Sequence, residues 1–167
     1  IGRDLEYCPR RPGGTLLDHL ERVADRLRSY AAPSALVHAG LVHAAYSTEG
    51  FDPALLGLEE RPLLRSVVGD ETEALVYRYA ATTRLPFYRQ WGQPLVVWTD
   101  RFTGAAVTLD PPEVAPLAEL TVANELDVVE QSTTLPEGFV ESLRGLFLSA
   151  AHLLSPAARE DVARTLG

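Results

Sequence analysis

Four histidines, His19, His38, His43 and His152, carry all the imidazoles of the chain. An imidazole takes up a proton or a divalent metal near neutral pH, so its surroundings decide what it does. His38 and His43 are five residues apart, roughly 140° around a helix. They cannot chelate one ion as an i, i+4 pair does. At most one of the two faces a central site. His38 is expected to point elsewhere and to be structural, bonded to backbone or to a neighbouring side chain. The alternative for each is a core histidine bonded to a backbone carbonyl.

A second group is Asn124, Asp127 and Gln131, within about 60° of one another on a helical wheel beside Leu117, Leu120 and Val128. An amide and a carboxylate on such an apolar face need partners. They either tie helices together or form a polar pocket facing His19 or His43. On the same wheel Thr121 and Glu125 fall on the solvent side. A third group follows His43 directly: Tyr46 and Ser47 share its face at i+3 and i+4, and Glu49 emerges where the helix should end. A carboxylate there is a candidate base or ligand, or a solvated loop acid. The sequence holds no Gly-rich phosphate loop after a strand, no H-E-x-x-H and no nucleophile elbow.

These residues must be positioned by helices. Thr15 is the expected N-cap of a helix reaching about Tyr30, with Asp18 where a capping box places Glu or Gln. Pro33 and Ser34 start a second helix to about Tyr46. It lies in a stretch, Ala31 to Thr48, without charge, so it is predicted to be the buried central helix, with Gly40 allowing a close neighbour. Short helices are expected over 53–57 and 59–68, and a longer one over 71–83 that Pro86 ends. Residues 94–109 are β-prone around the turn chemistry of Asp100 to Gly104, which predicts a small inserted hairpin. Helices over 113–132, 136–153 and 156–166 complete the chain. Residues 1–14, with Pro9, Pro12, Gly13 and Gly14, read as an irregular arm. The reading is one mostly helical domain over 1–167.

Composition narrows the function classes. The 167 residues hold 15 basic and 23 acidic side chains, a formal charge of −8. That argues against nucleic-acid coating and against a basic membrane-surface binder. All the basic residues are arginine, which excludes a Schiff-base lysine and a P-loop lysine. The single cysteine, Cys8, excludes an internal disulfide and a thiolate metal cluster, and suits a reducing cytoplasm. No apolar run approaches 18 residues, and no signal segment opens the chain. The lack of any methionine implies an N-terminus that was processed or trimmed. An anionic ligand would have to be held by arginines. Arg10 and Arg11 on the arm and Arg84 after the 71–83 helix are the candidates. The arm, hinged at Gly13 and Gly14, is the candidate lid.

The segments Leu16-Leu17-Asp18-His19-Leu20, Ala39-Gly40-Leu41-Val42-His43 and Ala123-Asn124-Glu125-Leu126-Asp127 together resemble the HD-domain superfamily, over about residues 10–132. The nearest spacing is that of the hydrolase domain of the stringent-response alarmone enzymes. The pattern is also similar to an uncharacterised bacterial branch that adds Tyr-x-Thr-Glu, here residues 46–49. The resemblance implies an all-α bundle in which an early His, a His-Asp pair and a late Asp hold a divalent metal that activates water against phosphate esters. His19 and His43 match the two histidines. Ala44 stands where the family has the Asp of the pair, and Asn124 stands where it has the late Asp.

The reading is an all-α, HD-like bundle with a small hairpin, acting as a divergent metal-dependent enzyme on a small molecule. His19 and His43 are the expected ligands of Mn, Fe or Zn. Glu49, Asp127 and Tyr46 are the expected catalytic residues, and Arg10, Arg11, Arg84 and Asn124 the expected ligand-binding ones. The alternative is a degenerate HD domain that binds a small molecule or a protein without turnover.

Overall fold

The computed structural model of the chain describes residues 14–49 and 54–167. The arm with Arg10 and Arg11 therefore lies outside the described residues, as does most of the loop around Asp52.

Helix α1 (Leu16–Ser29) opens on a complete capping box. Thr15 Oγ1 accepts from Asp18 N at 3.1 Å, and Asp18 Oδ2 accepts from Thr15 N at 2.7 Å. Aspartate thus performs here the role more often given to Glu or Gln. Leu16, His19, Leu20, Val23, Ala24 and Leu27 form its buried face.

Helix α2 (Ser34–Val42) packs on α1. A Cβ on Gly40 would lie 2.8 Å from Leu27 Cδ1 and 3.2 Å from Ala24 Cα, so only glycine permits this approach. The helix stops at Val42, four residues short of the expected Tyr46. Residues 43–46 continue as turns, and Ser47 adopts a left-handed φ of 64°. The Ala45 carbonyl is drawn out of the helix to accept from Leu55 N and Leu56 N, both at 2.9 Å.

Residues 54–57 are irregular, and a 3-10 turn Leu58–Glu60 leads into α3 (Arg61–Val68) and α4 (Asp70–Ala81). Pro86 does not end a helix but sits inside the short α5 (Arg84–Tyr88). Strands β1 (Val96–Thr99) and β2 (Ala106–Leu109) form the antiparallel hairpin, with Val96 opposite Leu109 and Trp98 opposite Val107. Asp100 closes its turn by accepting from Phe102 N, Thr103 N and the Tyr77 hydroxyl. Arg101, in that turn, donates to Ala80 O and to Ser47 Oγ, which ties the hairpin to α4 and to the turn after α2.

Helix α6 (Pro111–Gln131) starts on a second capping box, Asp110 with Glu113, and uses both prolines in its first turn. It is followed by α7 (Phe139–Ser149), a 3-10 turn Ala151–Leu153 and α8 (Pro156–Leu166), so the expected 136–153 helix is broken in two. Every residue from 117 to 127 of α6 is buried, with α1, α2, α4, α7 and α8 around it. The central helix is therefore α6. Helix α2 leaves Ser34 and His38 exposed. An uncharged stretch is not the same as a surrounded one, because polar side chains can be buried when they find partners inside. Among the described residues, no helix is long and apolar enough to cross a membrane.

Candidate functional site

His19 lies on the buried face of α1, and the capping box fixes where that helix begins. His43 caps the C-terminus of α2, which Gly40 holds against α1. Asn124 and Asp127, three residues apart, face both from α6. His19, His43 and Asn124 are only 1–3% exposed.

The two imidazoles meet edge to face, with ring centroids 5.3 Å apart at 75°. His19 Nδ1 donates to Asp127 Oδ2 at 2.6 Å. A carboxylate only accepts, so this contact places a proton on Nδ1. His43 Nδ1 donates to the Gly40 carbonyl at 2.8 Å, which places its proton in the same way. The Nε2 atoms then turn toward each other, 3.4 Å apart. Asn124 Oδ1 stands 3.2 Å from His19 Nε2. The amide orientation follows from its other end, where Nδ2 donates to Glu125 Oε1 at 3.0 Å. His19 Nε2, His43 Nε2 and Asn124 Oδ1 therefore lie close together in the buried interior.

Asp127 is held on its far side by Arg22, whose Nε and NH2 groups donate to Oδ1 and Oδ2. Burial raises the carboxyl pKa, but the hydrogen bonds from His19 and Arg22 outweigh it, and the net shift is below the ordinary 3.8. Asp127 and Arg22 also form part of the wall of an open cleft of about 560 Å³, together with Arg26, Tyr30, Asp161 and Arg164. The carboxylate thus links a solvent-facing cleft to the buried imidazoles.

The other expected site residues are dispersed. Tyr46 turns away from His43 and donates to Glu73 Oε1 at 3.1 Å. Burial and the Glu73 charge raise its pKa, so it does not supply a base here. Glu49 is exposed, and its carboxylate accepts from the backbone N–H of Arg84. The Arg84 guanidinium does not wait for an anion, because NH1 donates to Glu125 Oε1 at 3.1 Å. Gln131, expected on the same face as Asn124 and Asp127, is half-buried at the end of α6. His38 is exposed, contrary to the expected core role, because it lies on the open side of α2.

Four neighbours of the site lie outside the sequence expectation. Arg22 stands one turn after His19 on α1, so the i+3 spacing was the available signal. Glu125 and Thr121 were placed on the solvent side but are 6% and 1% exposed. The scarcity of polar residues from Val122 to Val129, where only Asn124, Glu125 and Asp127 interrupt the apolar run, is the sign that α6 has no solvent side there. The Tyr79 ring, from α4, packs edge to face on His43 at 5.7 Å.

Among the described residues, no three of His, Cys, Asp and Glu gather as a metal-holding group, and the third donor here is an amide. A family model described as Domain of unknown function (DUF6817) matches residues 7–84. That stretch includes His19 and His43 and stops before α6, so the convergent donors come from inside and outside it. No curated protein and no solved structure matches the chain.

Proposed function

We propose that the chain is a divergent metal-dependent enzyme of HD ancestry acting on a small molecule, with His19, His43 and Asn124 as the protein donors to a divalent cation. One observation supports the reading: His19 Nε2 lies 3.4 Å from His43 Nε2 and 3.2 Å from Asn124 Oδ1. Donors about 2 Å from a tetrahedral ion are about 3.3 Å from one another. Acceptors at this spacing repel unless a proton or a cation lies among them. Each imidazole also has its other nitrogen anchored, one on a carboxylate and one on a backbone carbonyl, as metal-binding histidines do.

The donor set is neutral, which favours Zn²⁺ or Fe²⁺ over a hard cation such as Mg²⁺. When bound, the cation supplies Lewis acidity toward a substrate oxygen or a water molecule. The protein's own contribution is positional. Asp127 fixes the tautomer and orientation of His19, and Arg22 keeps Asp127 ionised. The Gly40 carbonyl does the same for His43. Asp127, engaged by both His19 and Arg22, is an orienting group rather than a proton acceptor. Glu49, the other expected acceptor, is exposed and accepts from the Arg84 backbone N–H.

A second reading, binding without turnover, is favoured by Ala44 at the position of a family carboxylate and by the burial of all three donors. The test is metal analysis of the full chain purified without chelator, followed by assay against small phosphate esters. About one equivalent of metal, absent from His19→Ala and His43→Ala, supports the cation site. Hydrolysis lost in the same variants supports the enzyme, and metal without hydrolysis supports the second reading. A metal-free, folded wild type overturns the proposal.

A further inference from the structure

We infer that Glu125, held by Arg84, is a positioning residue that makes Asn124 present its oxygen rather than its NH₂ to the histidine centre. This rests on the reading of that centre as a cation site. An asparagine amide can be reversed by a half-turn about its last torsion, which exchanges an acceptor for a donor. A donor aimed at the two imidazole nitrogens would suit a proton-free pair of histidines and would repel a cation. The backbone of α6 does not decide between the two orientations. The neighbour does: Glu125 Oε1 accepts from Asn124 Nδ2 at 3.0 Å, and a carboxylate has no hydrogen to offer the amide oxygen in exchange.

Glu125 can do this only if it stays in place. It is 6% exposed on the central helix, where a lone carboxylate would be costly. Arg84 meets that requirement from α5, with NH1 3.1 Å from the same Oε1. Arg84 is itself fixed by its backbone N–H on Glu49. The order of support therefore runs from Glu49 through Arg84 and Glu125 to the Asn124 oxygen. This assigns purpose to two buried or half-buried charges that touch neither histidine.

The experiment is a double-mutant cycle on the full chain, with Zn²⁺ affinity measured by competition with a chromophoric chelator and folding checked by circular dichroism. Glu125→Leu frees the amide to reverse, and the expected loss is about 10–100-fold in affinity, as for other groups that orient metal ligands. Glu125→Gln keeps an oxygen acceptor for Nδ2 and should retain most of the affinity. In an Asn124→Asp background both terminal atoms are oxygens, so no orientation remains to be lost and Glu125→Leu should cost little. If Glu125→Leu does not fold, Glu125→Leu with Arg84→Leu removes both charges and carries the same comparison. Equal losses in the Asn124 and Asn124→Asp backgrounds overturn this inference and leave the cation site standing. A folded wild type with no Zn²⁺ affinity overturns the cation reading and this inference with it.

Discussion

Two polar clusters lie inside the helical bundle, and they are closed in opposite ways. Around Glu73 the hydrogen bonds are matched, with donors from three side chains on one carboxylate. Its carboxylate, fully buried on α4, accepts from Arg61 Nε and NH2, from Arg65 NH2 and from the Tyr46 hydroxyl. Arg61 also lies over the Tyr77 ring, 3.6 Å from its centroid. Around His19 and His43 the Nδ1 atoms donate outward, to Asp127 and Gly40, and the Nε2 atoms face each other. His43 and Tyr46 are only three residues apart, yet the turn after α2 sends them to different clusters. Burial of polar groups therefore does not mark a functional site. The cluster around Glu73 ties helices together, and the histidine cluster is the one proposed to hold a cation.

The largest expected effect is on the matched cluster. Glu73→Ala leaves two arginines without their carboxylate and should lower stability by about 3 kcal/mol, the lower end for breaking a buried ion pair, because Arg61 and Arg65 keep some contact with water. Urea unfolding measures it. A loss under about 1 kcal/mol would remove the structural role given to Glu73.

Next in size is stabilisation of the other cluster by metal. Zn²⁺ at a hundredfold excess over its Kd should stabilise the wild type by about 2.7 kcal/mol, seen as a raised Tm. His43→Ala should abolish the rise, and Glu73→Gln should keep it. A rise of equal size in His43→Ala would erase the contrast between the clusters.

Acid should expose what the clusters share. Asp127 and Glu73 both titrate below their ordinary values of 3.8 and 4.5, because the hydrogen bonds from their basic partners outweigh burial. A depressed carboxyl contributes stability that is fully present above its unfolded value and is lost as pH falls through the folded one. Stability should therefore fall below about pH 4, and Asp127→Asn or Glu73→Gln should each flatten that slope. An unchanged slope in both variants would contradict these shifts.

The smallest expected effect is at His38. It is exposed on α2, so His38→Ala should change stability by no more than about 0.5 kcal/mol and leave metal affinity alone.

Much of the frame was legible in local chemistry. Thr15 with Asp18, the turn residues Asp100 to Gly104, and Gly40 each act within a few residues or impose a contact that only glycine allows. The meeting of His19 with His43 could be anticipated only through a family resemblance, because 24 residues and two helix packings separate them. Three features were hidden for physical reasons. Helix α2 ends early because Ala45 finds acceptor duty for Leu55 and Leu56, a contact across the loop rather than along the chain. Glu125 was assigned to solvent because a wheel assumes one wet face, and α6 at residues 117–127 has none. Arg84 looked available to an anion because nothing local reveals that Glu125, 41 residues away, has already engaged it.

The central claim is that His19 and His43 direct unprotonated Nε2 atoms at one point while His38 and His152 do not. Imidazole ¹⁵N–¹H correlation spectra of the full chain, recorded before and after one equivalent of Zn²⁺, measure this directly. The account predicts that the Nε2 signals of His19 and His43 shift together on addition, with their Nδ1 protons retained, while the exposed His38 and His152 stay where they were. Unmoved His19 and His43 signals, or shifts confined to His38 and His152, would contradict it.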